Sequence, residues 1–368
     1  MKFAKRKRLP DPCGQGPGWD RILAHFIKEV ILGINIQNKD SLRSETIKGY
    51  ATEAIQLFRY RKLPDPFHFN DSNSMAATIL KNYEEQEDIA AQRYPLNEGF
   101  FAAMLQKMSC SEFNSKEYCI CDIAILARYL GFRLSEIGQK TQSKPEYHSF
   151  ACGNKTTLKA ISCQDLVFIT KDGKQLTEHD LNKIDEIDHL EVTFKVQKNR
   201  RNGEKKQLLP DRKNPEMCPV LAALRLVIRA RNLGQSQSLP CAVYHHKNTM
   251  RYITGKDVSL FLQNIARELY PDMPDSEIKR FSSHSLRVTA AVLLHEQGHD
   301  GDYIKIQLRW LGDSYRVYLR STHTILQRHL DSLSKSAHTS IKLANLPQHV
   351  AYSADQVDKN VMGTYTDI

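Results

Sequence analysis

No run in this sequence approaches the ~20 uninterrupted apolar residues of a membrane-spanning helix, so a helical bilayer protein is not expected. The basic stretch Met1 to Arg8 leads into Leu-Pro-Asp-Pro instead of an apolar segment, and no secretory leader is expected there. Cysteine occurs eight times, at positions 13, 110, 119, 121, 152, 163, 218 and 241, yet never as the C-x-x-C pair of zinc sites and redox dithiols. Reduced, mostly buried thiols are the expectation, as in a cytosolic or nuclear protein. Also missing are the phosphate-cradling G-x-x-x-x-G-K-S/T loop, a carboxylate cluster suited to magnesium, and any internal repeat.

What is present fits a folded chain. With 41% hydrophobic and 26% charged residues the composition lies near the globular average, which excludes wholesale disorder, a collagen-like repeat or a coiled-coil rod. At ~100 to 200 residues per domain, the 368 residues divide into two domains with tails. Lys and Arg number 52 against 42 Asp and Glu, a net +10 that makes polyanions candidate partners. The same excess also suits a merely basic surface, so charge by itself leaves nucleic-acid binding open.

Residues 1–14 read as a flexible basic arm whose K-R-K-R run, Lys5 to Arg8, serves nuclear import, phosphate contact or plain solvation. Trp19, Ile22, Leu23, Phe26, Ile27 and Val30 then recur at three- and four-residue steps. Ile47, Tyr50, Ala51, Ala54 and Phe58 repeat the pattern behind a candidate N-cap at Ser44. Pro64 and Pro66 break that second helix, and helical patterns return over 75–91 and 100–108. Residues 15–110 therefore read as a small all-helical domain whose apolar stripes are core.

From Ser111 the texture changes. Asn114 and Glu117 frame the start of a helix that Gly131 ends. β-Branched residues over 156–170 lead to a turn at Lys171-Asp172-Gly173, and 191–198 and 206–210 read as strands joined by N-R-R-N-G-E. Helical patterns resume over 219–330, so 111–335 reads as an α+β domain. Residues 336–368 lose periodicity, gain Ser, Thr, Asn and His, and read as a flexible tail.

Four local patterns bear on chemistry. In G-F-R-L-S-E-I (131–137), Arg133 follows a glycine-marked helix end, where its five donors suit an anion or a surface pair with Glu136. Lys198 ends one strand beside a basic loop, suited to a phosphate or to water. His284 and Arg287, spaced H-x-x-R behind candidate caps at Ser282 and Ser283, share one face of a first helical turn, where the dipole favours a phosphate. Finally, I-K-I-Q-L-R-W-L-G-D-S-Y-R-V-Y-L-R (304–320) reads as a helix capped by Asp302 and ended by Gly312. Tyr315 and Tyr318 follow it, two rings that also suit a core.

In chain order, G-x-R-x-x-E, a hairpin lysine, H-x-x-R, and R-W with a tyrosine eight residues after the tryptophan resemble the tyrosine recombinases, the phage-integrase-type enzymes that break and rejoin DNA. The resemblance covers about residues 111–330, and R-W-L-G-D-S-Y-R-V-Y-L-R looks most like eukaryotic crypton-type mobile-element members. It implies an α-helical core-binding domain that clamps DNA, followed by a mixed α+β catalytic domain with a small antiparallel sheet. Carried over by position, it implies that Arg133 and Arg287 grip the scissile phosphate and that His284 assists proton movement. Trp310 would hydrogen-bond a non-bridging oxygen, Lys198 would protonate the leaving 5′ oxygen, and Tyr318 would be the nucleophile. Lys195, Lys205 and Lys206 stand near enough to substitute for Lys198; Tyr315 competes with Tyr318, which alone is followed by Leu-Arg. Lys195, Arg200, Arg201, Lys205, Lys206 and Arg309 are further expected to contact nucleic acid.

The chemistry so implied is self-contained. A phosphodiester attacked by oxygen gathers charge on its equatorial oxygens, which preorganised Arg, His and Trp donors stabilise. The 3′-phosphotyrosyl bond keeps the energy of the broken linkage, so neither ATP nor a metal or other cofactor is expected. The implied partner is double-stranded DNA, with four protomers in a synapse, in the nucleus of a eukaryote or otherwise in the cytoplasm. Three alternatives stand beside this one: an inactive DNA-binding protein of the same fold, a type IB topoisomerase-like enzyme, and an interaction protein unrelated to nucleic acid.

Overall fold

The computed structural model describes residues 19–34, 42–60, 62, 74–87, 92–149, 156–177, 179–199, 201–319 and 330–331. The arm at 1–14, the tail at 336–368, Arg200 and the side chains of Ala54 and Phe58 lie outside the described residues. The chain divides into two compact units, Met1–Ala91 and Gln92–Ile368.

In the first unit, helices α1 (Trp19–Ile31), α2 (Ser44–Tyr60) and α3 (Met75–Gln86) follow the periodicity of their apolar residues. Leu23, Ile27 and Val30 of α1, Ile47, Ala51 and Ile55 of α2, and Ala76 and Leu80 of α3 meet in one core. Two helix starts take an acid from another part of the unit. Asp20 of α1 accepts from Met75 N at 2.7 Å and from Ser74 Oγ at 2.6 Å. Glu87, just past α3, accepts from Ser44 N at 2.5 Å and Ser44 Oγ at 2.7 Å. Each carboxylate thereby satisfies free N–H groups at the positive end of a helix.

The second unit opens with an extended segment, residues 92–97, fastened to its own unit. Arg280 donates to Gln92 O at 2.8 Å, Arg93 to Lys279 O at 2.9 Å, and Leu96 N to Thr289 Oγ1 at 2.7 Å. The Arg280 guanidinium also lies 3.9 Å over the Tyr94 ring. Helix α4 (Glu98–Ser109) follows, capped by Asn97, and buries Phe100, Phe101 and Met104 in the core of this unit. The sequence reading grouped that helix with the N-terminal domain; periodicity reveals that a helix has an apolar face but not which neighbour covers it.

At the centre lies α5 (Lys116–Leu130), buried without a break from Cys119 to Ala127. Its Asp122 carboxylate receives Arg225 at 2.6 Å and Arg229 at 2.7 Å, both from α6 (Pro219–Asn232), so the two helices share one buried charge cluster. Cys119, Cys121, Cys218 and Cys241 are buried free thiols, as expected, while Cys110 is exposed. Ser115, and not the expected Asn114, caps α5, accepting from Tyr118 N. Gly131 ends it at φ +50.

The strands are antiparallel: β1 (Tyr147–Ser149) with β2 (Thr156–Leu158), then a meander of β3 (Leu166–Thr170), β4 (Ile187–Phe194) and β5 (Glu204–Leu208). The β-branched stretch 156–170 holds two strands, β2 and β3, parted by a turn in which Asp165 accepts from Ser162 N and Ser162 Oγ at 2.8 and 2.7 Å. Strand β4 alternates, placing Leu190, Val192 and Phe194 inward, and the loop that carries Lys198 joins it to β5. A hairpin of β6 (Val243–His246) and β7 (Thr249–Tyr252) interrupts the region read as helical. Lys247 and Asn248 turn it at φ +46 and +61, a primed turn without the glycine that usually announces one.

Helices α7 (Gly255–Leu269), α8 (Asp275–Ile278), α9 (Ser283–Glu296) and α10 (Gly301–Leu308) complete the unit with a 3-10 turn, Asp313–Tyr318. Asp300, not Asp302, caps α10 by accepting from Tyr303 N at 2.7 Å. The helix ends earlier than expected, at Arg309, whose φ of +59 takes the left-handed conformation assumed for the glycine at 312. No helix among the described residues is long and apolar enough to cross a membrane.

Candidate active site

Four stretches of unit 2 converge on a cleft of about 550 Å³. The chain leaving α5 through Gly131 brings Arg133; the β4–β5 loop brings Lys198; the first turn of α9 brings His284 and Arg287; the segment after α10 brings Trp310 and Tyr318. All six residues singled out in the sequence for phosphodiester chemistry line this one cleft. Gly131 is needed twice, for its backbone conformation and because a Cβ there would stand 2.8 Å from Leu308 Cδ2 of α10.

His284 Nε2 and Tyr318 Oη are 2.9 Å apart, with the rings edge to face at 5.6 Å. Arg287, buried at 2% exposure, donates to the carbonyls of Gly131 and, at 3.2 Å, Leu308, and its guanidinium lies 4.2 Å over the Trp310 ring. Those bonds fix the guanidinium plane and leave further N–H groups uncommitted. Arg133 donates to Glu136 Oε1 at 3.0 Å from Nη1 and to Oε2 at 2.9 Å from its backbone N. The Trp310 indole N–H is shielded from solvent and has no hydrogen-bond partner among the described residues.

The electrostatics are those of a partly buried cationic pocket. Burial, then the charges of Arg287, Arg93 and Arg133, hold His284 below the usual histidine range, so at neutral pH its imidazole is neutral. In the tautomer that carries its proton on Nδ1, His284 Nε2 accepts from the Tyr318 hydroxyl. Burial raises Tyr318, while Arg287 and Arg93 draw it back toward ionisation. Burial and the neighbouring Arg133 bring Arg287 down to about 9, which leaves it charged at neutral pH.

Three expectations are corrected by these surroundings. Arg309 is fully buried, paired with Glu136 at 3.0 Å and lying 3.4 Å over Phe194, so it does not present itself to nucleic acid. The alternative lysines are engaged elsewhere: Lys195 with Asp165 at 2.8 Å, Lys205 with Glu191 at 3.2 Å, Lys206 with Ile306 O at 2.8 Å. Among the described residues Lys198 is the lysine that lines the cleft. Tyr315 is 1% exposed in a small core with Val288, Ile304 and Leu308, and a Cβ on Gly301 would overlap its hydroxyl. Lys205 and Arg201 are exposed and remain available to a partner; Arg200 lies outside the described residues.

Sequence reasoning missed three contributors. Glu136, read as half of a surface pair, is buried at 3% exposure and joins two arginines. Asn199 donates to Arg309 O at 3.2 Å, tying the lysine loop to the end of α10. Arg93 reaches the pocket electrostatically from a segment that carries no motif.

No protein-family model and no curated protein matches the chain. Solved structures similar to it include the XerH site-specific recombinase bound to palindromic difH substrate in a post-cleavage complex, with a TM-score of 0.48 and 15% identity over 84% of this chain and 71% of that one. The Tn1549 transposon integrase in complex with circular-intermediate DNA gives 0.45 and 10% over 90% of each chain. The XerA recombinase gives 0.36 and 10% over 90% of this chain and 96% of that one.

Proposed function

We propose that this chain is a site-specific DNA recombinase or integrase that breaks and rejoins duplex DNA through a 3′-phosphotyrosyl intermediate, of the crypton-type mobile-element kind and acting as a tetramer in a nuclear synapse. The observation that carries the reading is the 2.9 Å pairing of His284 Nε2 with Tyr318 Oη inside a cleft walled by Arg133, Arg287, Lys198 and Trp310. A lone phenol is a poor nucleophile, because its unperturbed pKa is ~10. A neutral imidazole at hydrogen-bond distance is the base that activates it.

In this reading Tyr318 Oη attacks phosphorus while His284 Nε2 takes its proton. The bond from phosphorus to the tyrosyl oxygen forms as the bond to the 5′ oxygen breaks, and Lys198 supplies a proton to that leaving oxygen. Charge gathering on the non-bridging oxygens meets Arg133, Arg287 and the Trp310 N–H. The buried Trp310 N–H has no acceptor among the described residues, so a phosphate oxygen that accepts from it is favoured. Attack by a 5′ hydroxyl on the phosphotyrosine reverses the step. The helical unit ending at Ala91 serves as a second DNA-contacting domain.

The test is covalent trapping. The protein is incubated with nicked suicide duplexes made from the DNA flanking its coding region, denatured, and the adduct mapped by peptide mass spectrometry. The expected result is DNA on Tyr318 and no adduct from Tyr318→Phe. An adduct on another residue overturns the nucleophile assignment. Salt-dependent binding to the same duplexes with no adduct from any of them favours a catalytically inactive DNA-binding protein.

A further inference from the structure

The backbone at residue 309 has a φ of +59, a conformation in which glycine is unstrained and every other residue is not. The chain places an arginine there and buries it completely. What the side chain and carbonyl of Arg309 touch explains the choice. Nη2 donates to Glu136 Oε2 at 3.0 Å, and the same carboxylate holds Arg133 through both its guanidinium and its backbone N–H. Nη1 donates to Gln197 Oε1 at 3.3 Å, and the main-chain oxygen accepts from Asn199 Nδ2 at 3.2 Å. Gln197 and Asn199 are the two neighbours of Lys198, so the lysine is slung between two attachments to one residue. Trp310 is the next residue along the chain.

The geometry points to Arg309 as a positioning residue of the active site, one buried guanidinium that sets Arg133, Lys198 and Trp310 relative to one another without meeting the substrate. This rests on the recombinase reading of the cleft. A planar fork serves where an ammonium would not, because two donors must reach Glu136 and Gln197 in different directions while the plane lies 3.4 Å over Phe194. Losing one partner of a buried ion pair is destabilising, and in Arg309→Met Arg133 alone still faces Glu136, so it is the coupling of the rate losses, and not melting, that separates positioning from simple support of the fold.

The experiment compares Arg309→Met, Arg309→Lys, Arg133→Ala/Lys198→Ala and the triple variant in single-turnover cleavage of the suicide duplex, with DNA affinity and thermal melting alongside. Arg309→Met is expected to bind DNA within about twofold of the parent and to cleave on the order of 10²-fold more slowly. In the background lacking Arg133 and Lys198 the same change is expected to cost less than about twofold. A purely structural role gives the opposite pattern, rate losses that multiply in the triple variant, and that result overturns the inference. Should Arg309→Met fail to fold, Arg309→Lys keeps the charge facing Glu136, and the slow cleavage is expected from a folded protein.

Orthovanadate binding, followed by calorimetry, needs no turnover. The anion is expected to bind the parent and to bind Arg309→Met about tenfold more weakly; equal affinity, or none in the parent, overturns the inference. A parent that binds orthovanadate in this way but forms no adduct refutes the proposed reaction and leaves the positioning role standing.

Discussion

The proposed proton path from Tyr318 gives the sharpest prediction, because among the described residues His284 is the hydrogen-bonded partner of the proposed nucleophile whose charge changes near neutral pH. Burial and three guanidiniums lower its pKa below the ordinary ~6.5. Cleavage at saturating protein is therefore expected to be flat from about pH 6.5 to about 8, to fall tenfold per unit once pH drops below the folded pKa of His284, and to fall again as Arg287 loses its charge at about 9. Replacing His284 by Ala removes the base and with it the acidic limb. The rate then follows ionisation of the phenol, whose pKa is raised by burial, and climbs tenfold per unit across neutrality. Positioned bases contribute about 10²- to 10⁴-fold, so His284→Ala is expected to lose that much at pH 7 and to recover about tenfold by pH 8, before Arg287 begins to lose its charge. The assay is quenched single-turnover adduct formation between pH 5 and 9.5, each point taken below the melting temperature at that pH. That control matters, since the neutral imidazole stabilises the fold above the unfolded pKa and the contribution is lost as pH falls through the folded pKa. A deficit in His284→Ala that is the same at every pH would refute the base assignment.

Arg133→Ala and Arg287→Ala are each expected to slow cleavage on the order of 10²-fold or more, yet they differ in urea melts. Arg133 is a quarter exposed and leaves Glu136 paired with Arg309, so its loss costs about 1 kcal/mol or less. Arg287→Ala strips donors from two buried carbonyls and opens a cavity, costing about 2 to 5 kcal/mol. Equal stability of the two variants removes the structural half of the Arg287 assignment. Asp122→Ala strands the Arg225 and Arg229 guanidiniums in the core and is expected to cost about 3 to 5 kcal/mol, read as a lower urea midpoint. Gly301→Ala forces the Tyr315 ring from its seat and is expected to cost about 1 to 3 kcal/mol with slower adduct formation, because the turn carrying Tyr318 rests on that ring; an unchanged melt refutes the packing argument.

The site was more legible in the sequence than the architecture around it. Arg133, Lys198, His284, Arg287, Trp310 and Tyr318 stand in short patterns whose order survives folding, and they line one cleft. Burial was not legible. Arg309 looked like a DNA contact because an arginine beside an aromatic reads the same whether it faces water or a buried carboxylate, and Glu136, 173 positions away, decides the matter. The β6–β7 hairpin was hidden by a turn built from Lys247 and Asn248 without glycine. Helix α10 ends at an arginine because tertiary bonds hold it in a conformation costing about 1 to 2 kcal/mol, so the next available glycine misled the boundary. Arg93 carries no signal of its own; only the anchoring of residues 92–97 brings its charge within reach of Tyr318.

That anchored segment also determines where the second unit becomes self-sufficient. Leu96, Phe100, Phe101 and Met104 are each at most 3% exposed in its core. At about 2 kcal/mol per buried side chain, together they represent roughly 8 kcal/mol, comparable with the 5 to 15 kcal/mol that keeps a domain folded. A fragment starting at residue 111, where the sequence first changes texture, loses all four and presents the bare flank of α5 to water. One starting at residue 92 retains them, together with the Arg280 and Thr289 tethers. The core of the second unit therefore begins at residue 92 and not at 111, and helix α4 belongs to the foundation of the unit that holds the cleft.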